Sequence, residues 1–172
     1  MRKENYLSLY TAVYSRRGTI KFLSILSEVI TYLTVAAYGL FIGFCAVDNL
    51  PLCLSFLAVT ATPFVAVTVM RRVINAPRPY EVFECDPLSE LKKKSKSGSS
   101  FPSRHVASSF IIGSALCFEL PAVGIATLAL GVVLGVCRVL LGRHFIRDVI
   151  VGAVIGGISG SVGMLIVNVF LH

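Results

Sequence analysis

Three short polar stretches interrupt an otherwise apolar chain, and each carries groups suited to holding a phosphate or another compact anion. In "RRVINAPRPYE", Arg71 and Arg78 stand seven positions apart. Seven residues are close to two helical turns, so on a continuous helix the two would share a face about 10 Å apart. Pro77 and Pro79 are expected to end that helix and turn Arg78 back across the membrane surface. Two guanidiniums converging on one spot suit phosphate oxygens, because each offers a planar fork of donors. Taken alone, the stretch also fits a basic helix end that snorkels to headgroups.

In "FPSRHVASSF", Pro102 is placed to begin a helix, which would leave the backbone N–H groups of Ser103, Arg104 and His105 free at its positive end. Such a helix start binds anions, and His105 would sit in its first turn beside the anion. The plainer reading is a loop of small residues followed by a capped helix. In "CRVLLGRHFIRD", His144 and Asp148 are four apart. On one helical face the carboxylate can accept a hydrogen bond from one imidazole nitrogen and leave the other as a nucleophile or base, though a surface ion pair has the same spacing. Arg138 ends an apolar run, a position where a charge is a functional candidate.

These residues need a frame, and the composition says which kind. Of 172 residues, 55% are hydrophobic and only 15% are charged, too few to solvate a globule of this size. The expected fold is all-α, a polytopic transmembrane helical bundle of about five spans plus an N-terminal interfacial helix, in one membrane-embedded domain over 1–172. The spans run from Phe22 to Val47, Leu52 to Met70, Val106 to Leu120, Ala122 to Leu141 and Val149 to Leu171; the third is short for a bilayer that needs about 20 residues per helix. Residues 1–21 mix aromatic and basic side chains, which suits a helix lying in the interface, and they lack the features of a signal peptide. Residues 71–104 form a polar loop that carries part of the site.

A net charge of +7 raises nucleic acid as a partner. The basic residues, however, sit at the ends of apolar spans and in the loop "LKKKSK", not along a soluble face, so anionic lipid is the expected partner and nucleic acid is not. With five spans, every Lys and Arg falls on one side of the membrane. By the positive-inside rule that side is the cytoplasm.

Together, R-x6-R-P, P-S-x-H and R-x5-H-x3-D, in this order and at these span ends, resemble the three-part signature of the type 2 phosphatidic acid phosphatase (PAP2) family over roughly residues 20–165. The resemblance implies a hydrolase acting on a lipid phosphate monoester or diphosphate: phosphatidate, phosphatidylglycerol phosphate, an isoprenyl diphosphate or a lipid A phosphate. It implies that His144 attacks phosphorus and forms a phosphohistidine, that Asp148 orients it, and that His105 protonates the departing oxygen and then activates water. Arg71, Arg78, Arg138 and the amides around Ser103 and Arg104 would hold the phosphoryl oxygens. No metal or cofactor is implied, and the residues themselves show no carboxylate cluster that would ligate one. Three positions depart from the family pattern: Arg71 where lysine is more frequent, Arg104 where glycine is common, and Cys137 where serine usually precedes the arginine. The resemblance places the site on the extracytoplasmic face of a bacterial cell membrane, against the charge count. Transfer of the phosphoryl group to another acceptor is the alternative on the same fold, and a non-catalytic protein that binds anionic lipid is the alternative outside it.

Other residues have plainer readings. Gly152, Gly156 and Gly160 recur every four positions, with Gly131 and Gly135 in the preceding span, a spacing that lets helices approach closely within the bundle. Glu28, an ionisable group inside the first span, would pair with a site arginine or line a route for a headgroup. Cys45, Cys117 and Cys137 read as small core residues.

Overall fold

The structure, a computed structural model, describes residues 3–83 and 97–171. The lysine run 92–96, Cys85 and His172 lie outside the described residues.

The helices follow from where the chain can and cannot continue its hydrogen-bond ladder. α1 spans Lys3–Tyr14 and α2 Arg17–Asp48. A single residue, Asn49, separates α2 from α3 (Leu50–Ile74). Its N–H donates to the Cys45 carbonyl while its side chain accepts from the Leu52 N–H at 3.1 Å, so one asparagine closes one helix and caps the next. Pro51 in the first turn of α3 costs nothing, since that N–H has no helical partner. α3 stops at Asn75, which takes the left-handed conformation (φ 43°) before Pro77, and Pro79 opens a single turn, α4 (Pro79–Val82).

α5 (Arg104–Glu119) and α6 (Pro121–Leu140) are likewise split by one residue and a proline. α6 ends in a paired-hydrogen-bond cap: Gly142 at φ 65° donates to the Val139 carbonyl and Arg143 donates to that of Arg138. Glycine accepts this left-handed turn without strain. α7 then runs Ile146–Leu171.

Among the described residues, four helical stretches are long and apolar enough to cross a membrane: Gly18–Asp48, Leu50–Val82 (α3 carried on through α4), Pro121–Leu140 and Ile146–Phe170. Their outer faces expose large apolar side chains such as Leu40, Val47, Val73, Val132 and Val169, an arrangement suited to lipid contact. The chain is an all-helical, multi-pass membrane protein. The fifth expected segment is α5, whose 16 residues extend about 24 Å, less than the hydrocarbon thickness of about 30 Å. It is the axis of the bundle, packed chiefly against α7 and α6 and buried along most of its length.

Glycines set that packing. A Cβ on Gly156 would lie 2.5 Å from the Ala107 carbonyl oxygen, and one on Gly152 would lie 2.7 Å from that of Ser103. The four-residue glycine ladder is thus where α7 lies against α5, inside the bundle. Two apolar clusters flank the polar region. Phe41, Cys45, Cys53, Phe56, Leu116 and Met164 fill one end of the bundle. Tyr6 and Tyr10 of α1 join Tyr80, Phe83 and Val139 at the other. α1 therefore presents one tyrosine face to protein, and its Tyr14 hydroxyl donates to the Leu141 carbonyl at 3.1 Å. α2 begins earlier than the sequence pattern suggests, so 17–21 belong to it and not to the N-terminal helix.

Candidate active site

The polar stretches meet at the end of the bundle where α5 begins and α6 stops. A pocket of about 520 Å³ is lined there by Arg71, Arg78, Arg104, Arg138 and Arg143, by His105 and His144, and by Glu28, Thr31 and Tyr32 of α2. The family-pattern arginines and both histidines face one space. Five guanidiniums around such a volume make it a receptor for a multiply charged anion.

Arg71 and Arg78 are held by backbone groups, which leaves their remaining donors for a ligand. Arg71 Nη1 donates to the Pro102 carbonyl at 2.6 Å, tying the end of α3 to the segment before α5. Arg78 Nε donates to the Gly98 carbonyl at 3.0 Å, and its guanidinium lies 5.8 Å from the Tyr80 ring centre. Glu81 fixes this corner by accepting from the backbone N–H of Arg78 (2.7 Å) and of Gly98 (3.0 Å). Arg138 is buried in the last turn of α6, and among the described residues its Nε has no hydrogen-bond partner. Arg104 is exposed at the rim, 5.9 Å from the Phe64 ring.

His144 and Asp148 do not lie along one helical face. His144 precedes α7, and Asp148 is in its first turn, where Asp148 Oδ2 accepts the Phe145 N–H at 3.0 Å. A carboxylate is favoured there by the free amides and the helix dipole. The imidazole Nδ1 is 3.7 Å from Oδ2, beyond a direct hydrogen bond. Between them stands Ser100, fully buried, whose hydroxyl donates to Oδ2 at 2.5 Å and lies 3.4 Å from Nδ1. The Ser100 oxygen can accept from Nδ1–H while donating to Asp148, a relay that leaves Nε2 as the unprotonated nitrogen. Both residues are nearly sealed from solvent, and Asp148 Oδ1 faces Arg147 Nε at 3.5 Å. Burial pushes the His144 imidazole below its ordinary value of 6.5; Arg71 and Arg78 push the same way, and the approach of Asp148 opposes them. The ring is therefore neutral at pH 7.

Two further expectations need correction. Pro102 does not start the helix: α5 begins at Arg104, with Ser103 as its N-cap. The Ser103 N–H is not free for a ligand, because it donates to the Asp148 carbonyl at 2.8 Å, and Ser103 is buried outside the pocket lining. This contact depends on Gly152, which lets α7 approach the first turn of α5. Cys137 lies away from the pocket, in an apolar cluster with Leu23 and Leu141, as a small core residue. Sequence reasoning singled out neither Ser100 nor Arg143 as a site residue. Arg143 had a signal, since it lies one residue before His144; Ser100 had none beyond its place in a run of small residues.

A second, apolar cavity of about 310 Å³ adjoins the first and shares Thr31 and His105 with it. It lies between α2 and α3, against α5, with Val35, Tyr38, Phe64, Ile112 and Leu134 among its walls.

Comparison with known proteins follows the same lines. Residues 50–170 match the model of the PAP2 superfamily. Among solved structures the chain is similar to LpxE of Aquifex aeolicus, with a TM-score of 0.66 and 24% identity over 92% of this chain and 94% of that one. It is also similar to a transmembrane PAP2 type phosphatidylglycerolphosphate phosphatase from Bacillus subtilis, with a TM-score of 0.49 and 22% identity over 96% and 91% of the two chains. No curated protein sequence matches it.

Proposed function

This chain belongs to the PAP2 superfamily, and we propose that it hydrolyses a phosphate ester or diphosphate on a membrane lipid through a phosphohistidine at His144. The observation that carries this reading is the buried His144–Ser100–Asp148 relay at the wall of a pocket ringed by five arginines.

In the first step Nε2 of His144 attacks phosphorus. The P–O bond to the lipid breaks, its electron pair stays on the leaving oxygen, and His105, which takes up a proton once the phosphate dianion lies beside it, supplies the proton that oxygen needs. In the second step a water gives a proton back to His105 and attacks phosphorus. The P–N bond breaks, inorganic phosphate leaves and His144 is restored. Asp148, through Ser100, stabilises the positive charge that His144 acquires as it bonds phosphorus. Arg71, Arg78, Arg104 and Arg138 hold the equatorial oxygens, where charge redistributes in the transition state. Their fixed positive charge does what a bound cation does in other phosphoryl-transfer enzymes, so the reaction is metal-independent on this reading.

The apolar cavity beside His105 suits hydrocarbon next to the leaving oxygen, which favours a lipid over a soluble phosphate ester. The protein would work in the cell membrane with its site on the extracytoplasmic face. The test of activity is phosphate release by purified protein, with EDTA present, from a panel of lipid phosphates and diphosphates. Release from at least one lipid is expected; no release from any would overturn the proposal. For the orientation, a cysteine placed at one of positions 92–96, with the native thiols removed, should be labelled by an impermeant reagent in intact cells. Protection would reverse the assignment.

A further inference from the structure

Glu28 is an acidic side chain on the wall of a pocket that otherwise carries five arginines. It sits eleven residues into α2, within "ILSEVITYL", where a charge is disfavoured in a membrane. The obvious reason for keeping it would be to neutralise a site arginine. Among the described residues, however, ion pairs within 4.0 Å join only His144 and Arg147 to Asp148; Glu28 acts on Arg138 only from beyond that distance, so its oxygens are not taken up by an arginine. Glu28 is exposed, not folded back into the bundle. Thr31 and Tyr32, three and four positions on, lie on the same helical face and line the same pocket.

A carboxylate left open at the edge of an anion site does two things to a ligand. It accepts hydrogen bonds and donates none, so it stabilises a ligand hydroxyl or ammonium. It also repels a second negative group brought near it. The pocket volume of about 520 Å³ holds more than a phosphoryl group, so part of the headgroup lies within reach of this wall. We infer that Glu28 is a specificity-determining residue that accepts a hydrogen bond from a hydroxyl or ammonium next to the scissile phosphate. It thereby favours phosphomonoesters with donor-bearing headgroups over lipid diphosphates.

This inference rests on the phosphatase reading and deepens it by naming the substrate class. Its test compares three substrates in mixed micelles: lysophosphatidate, which has a free hydroxyl; phosphatidate, in which that hydroxyl is acylated; and farnesyl diphosphate. Wild type, Glu28→Gln and Glu28→Asp are assayed for kcat/KM on each. Wild type should prefer lysophosphatidate over both others. Glu28→Gln should lower the ratio of lysophosphatidate to farnesyl diphosphate turnover by about tenfold, which corresponds to about 1.4 kcal/mol. Glu28→Asp should restore most of it. A purely structural role for Glu28 predicts an equal loss on all three substrates, and that pattern, or an unchanged ratio, would overturn the inference while leaving the phosphatase reading intact. Absence of turnover by wild type on every substrate of the wider lipid panel would overturn both.

Discussion

Replacing Ser100 with alanine removes one buried hydroxyl and nothing that touches the pocket. That hydroxyl donates to Asp148 Oδ2 at 2.5 Å and lies 3.4 Å from His144 Nδ1, while the direct gap between the two partners is 3.7 Å. Without it the imidazole loses its link to the carboxylate at the moment it becomes cationic. A hydrogen bond to a charged group contributes about 1.5–3 kcal/mol, and 1.36 kcal/mol is a factor of ten in rate, so kcat should fall by about 10- to 100-fold. KM should change little, because Ser100 does not line the pocket. The fold should survive, since the backbone anchor of this residue, its N–H to the Ala76 carbonyl at 2.9 Å, is untouched. The assay is steady-state phosphate release, with single-turnover kinetics to locate the loss in phosphohistidine formation. A folded Ser100→Ala protein with kcat within twofold of wild type would refute the relay.

Four further outcomes are expected. His144 must be neutral to attack, and its value lies below 6.5, so the acid limb of kcat/KM should fall below that pH; a limb at or above 6.5 would contradict the burial argument. The same displacement means that the unfolded state binds the proton more readily. This contribution to stability is complete above pH 6.5 and is lost as pH falls through the lower folded value, a trend that melting temperature against pH will show. Gly156→Ala puts a methyl group 2.5 Å from the Ala107 carbonyl oxygen and should cost about 1–3 kcal/mol in detergent unfolding, whereas Gly157→Ala, whose nearest neighbour is 3.9 Å away, should be neutral or stabilising. Extended dialysis against EDTA should leave turnover unchanged if the arginines alone carry the phosphoryl charge; restoration of lost activity by a divalent ion would contradict that.

Charged residues in an apolar chain are conspicuous, which is why spacing and the family resemblance together singled out Arg71, Arg78, His105, Arg138, His144 and Asp148, of which all but Asp148 line one pocket. The helical bundle was equally legible, because long apolar runs broken by Asn49 and Pro121 leave few other folds. What the chain could not reveal were contacts made between distant segments by ordinary groups. Ser100 reaches residues 44 and 48 positions away, and a serine in a run of serines announces nothing. Ser103 was misread for the same reason: a helix-start amide reads as free until its partner is known, and here the partner is a carbonyl brought from α7. The His144–Asp148 spacing suggested a helical face, yet the pair straddles a helix start, where the aspartate caps the backbone as well as serving the histidine. α5 was read as the short third span; its packing against α6 and α7 makes it also the core around which the others pack, which apolarity alone does not reveal.

The central claim is that His144 forms a bond to phosphorus, and the most direct measurement is covalent trapping. Purified protein is mixed with a lipid carrying labelled phosphate, quenched in alkali within one turnover, and digested to locate the label. The account predicts an acid-labile, alkali-stable label on the peptide containing His144, present in wild type and absent from folded His144→Ala, which should also lose turnover by several orders of magnitude. Phosphate release that persists in His144→Ala would contradict it.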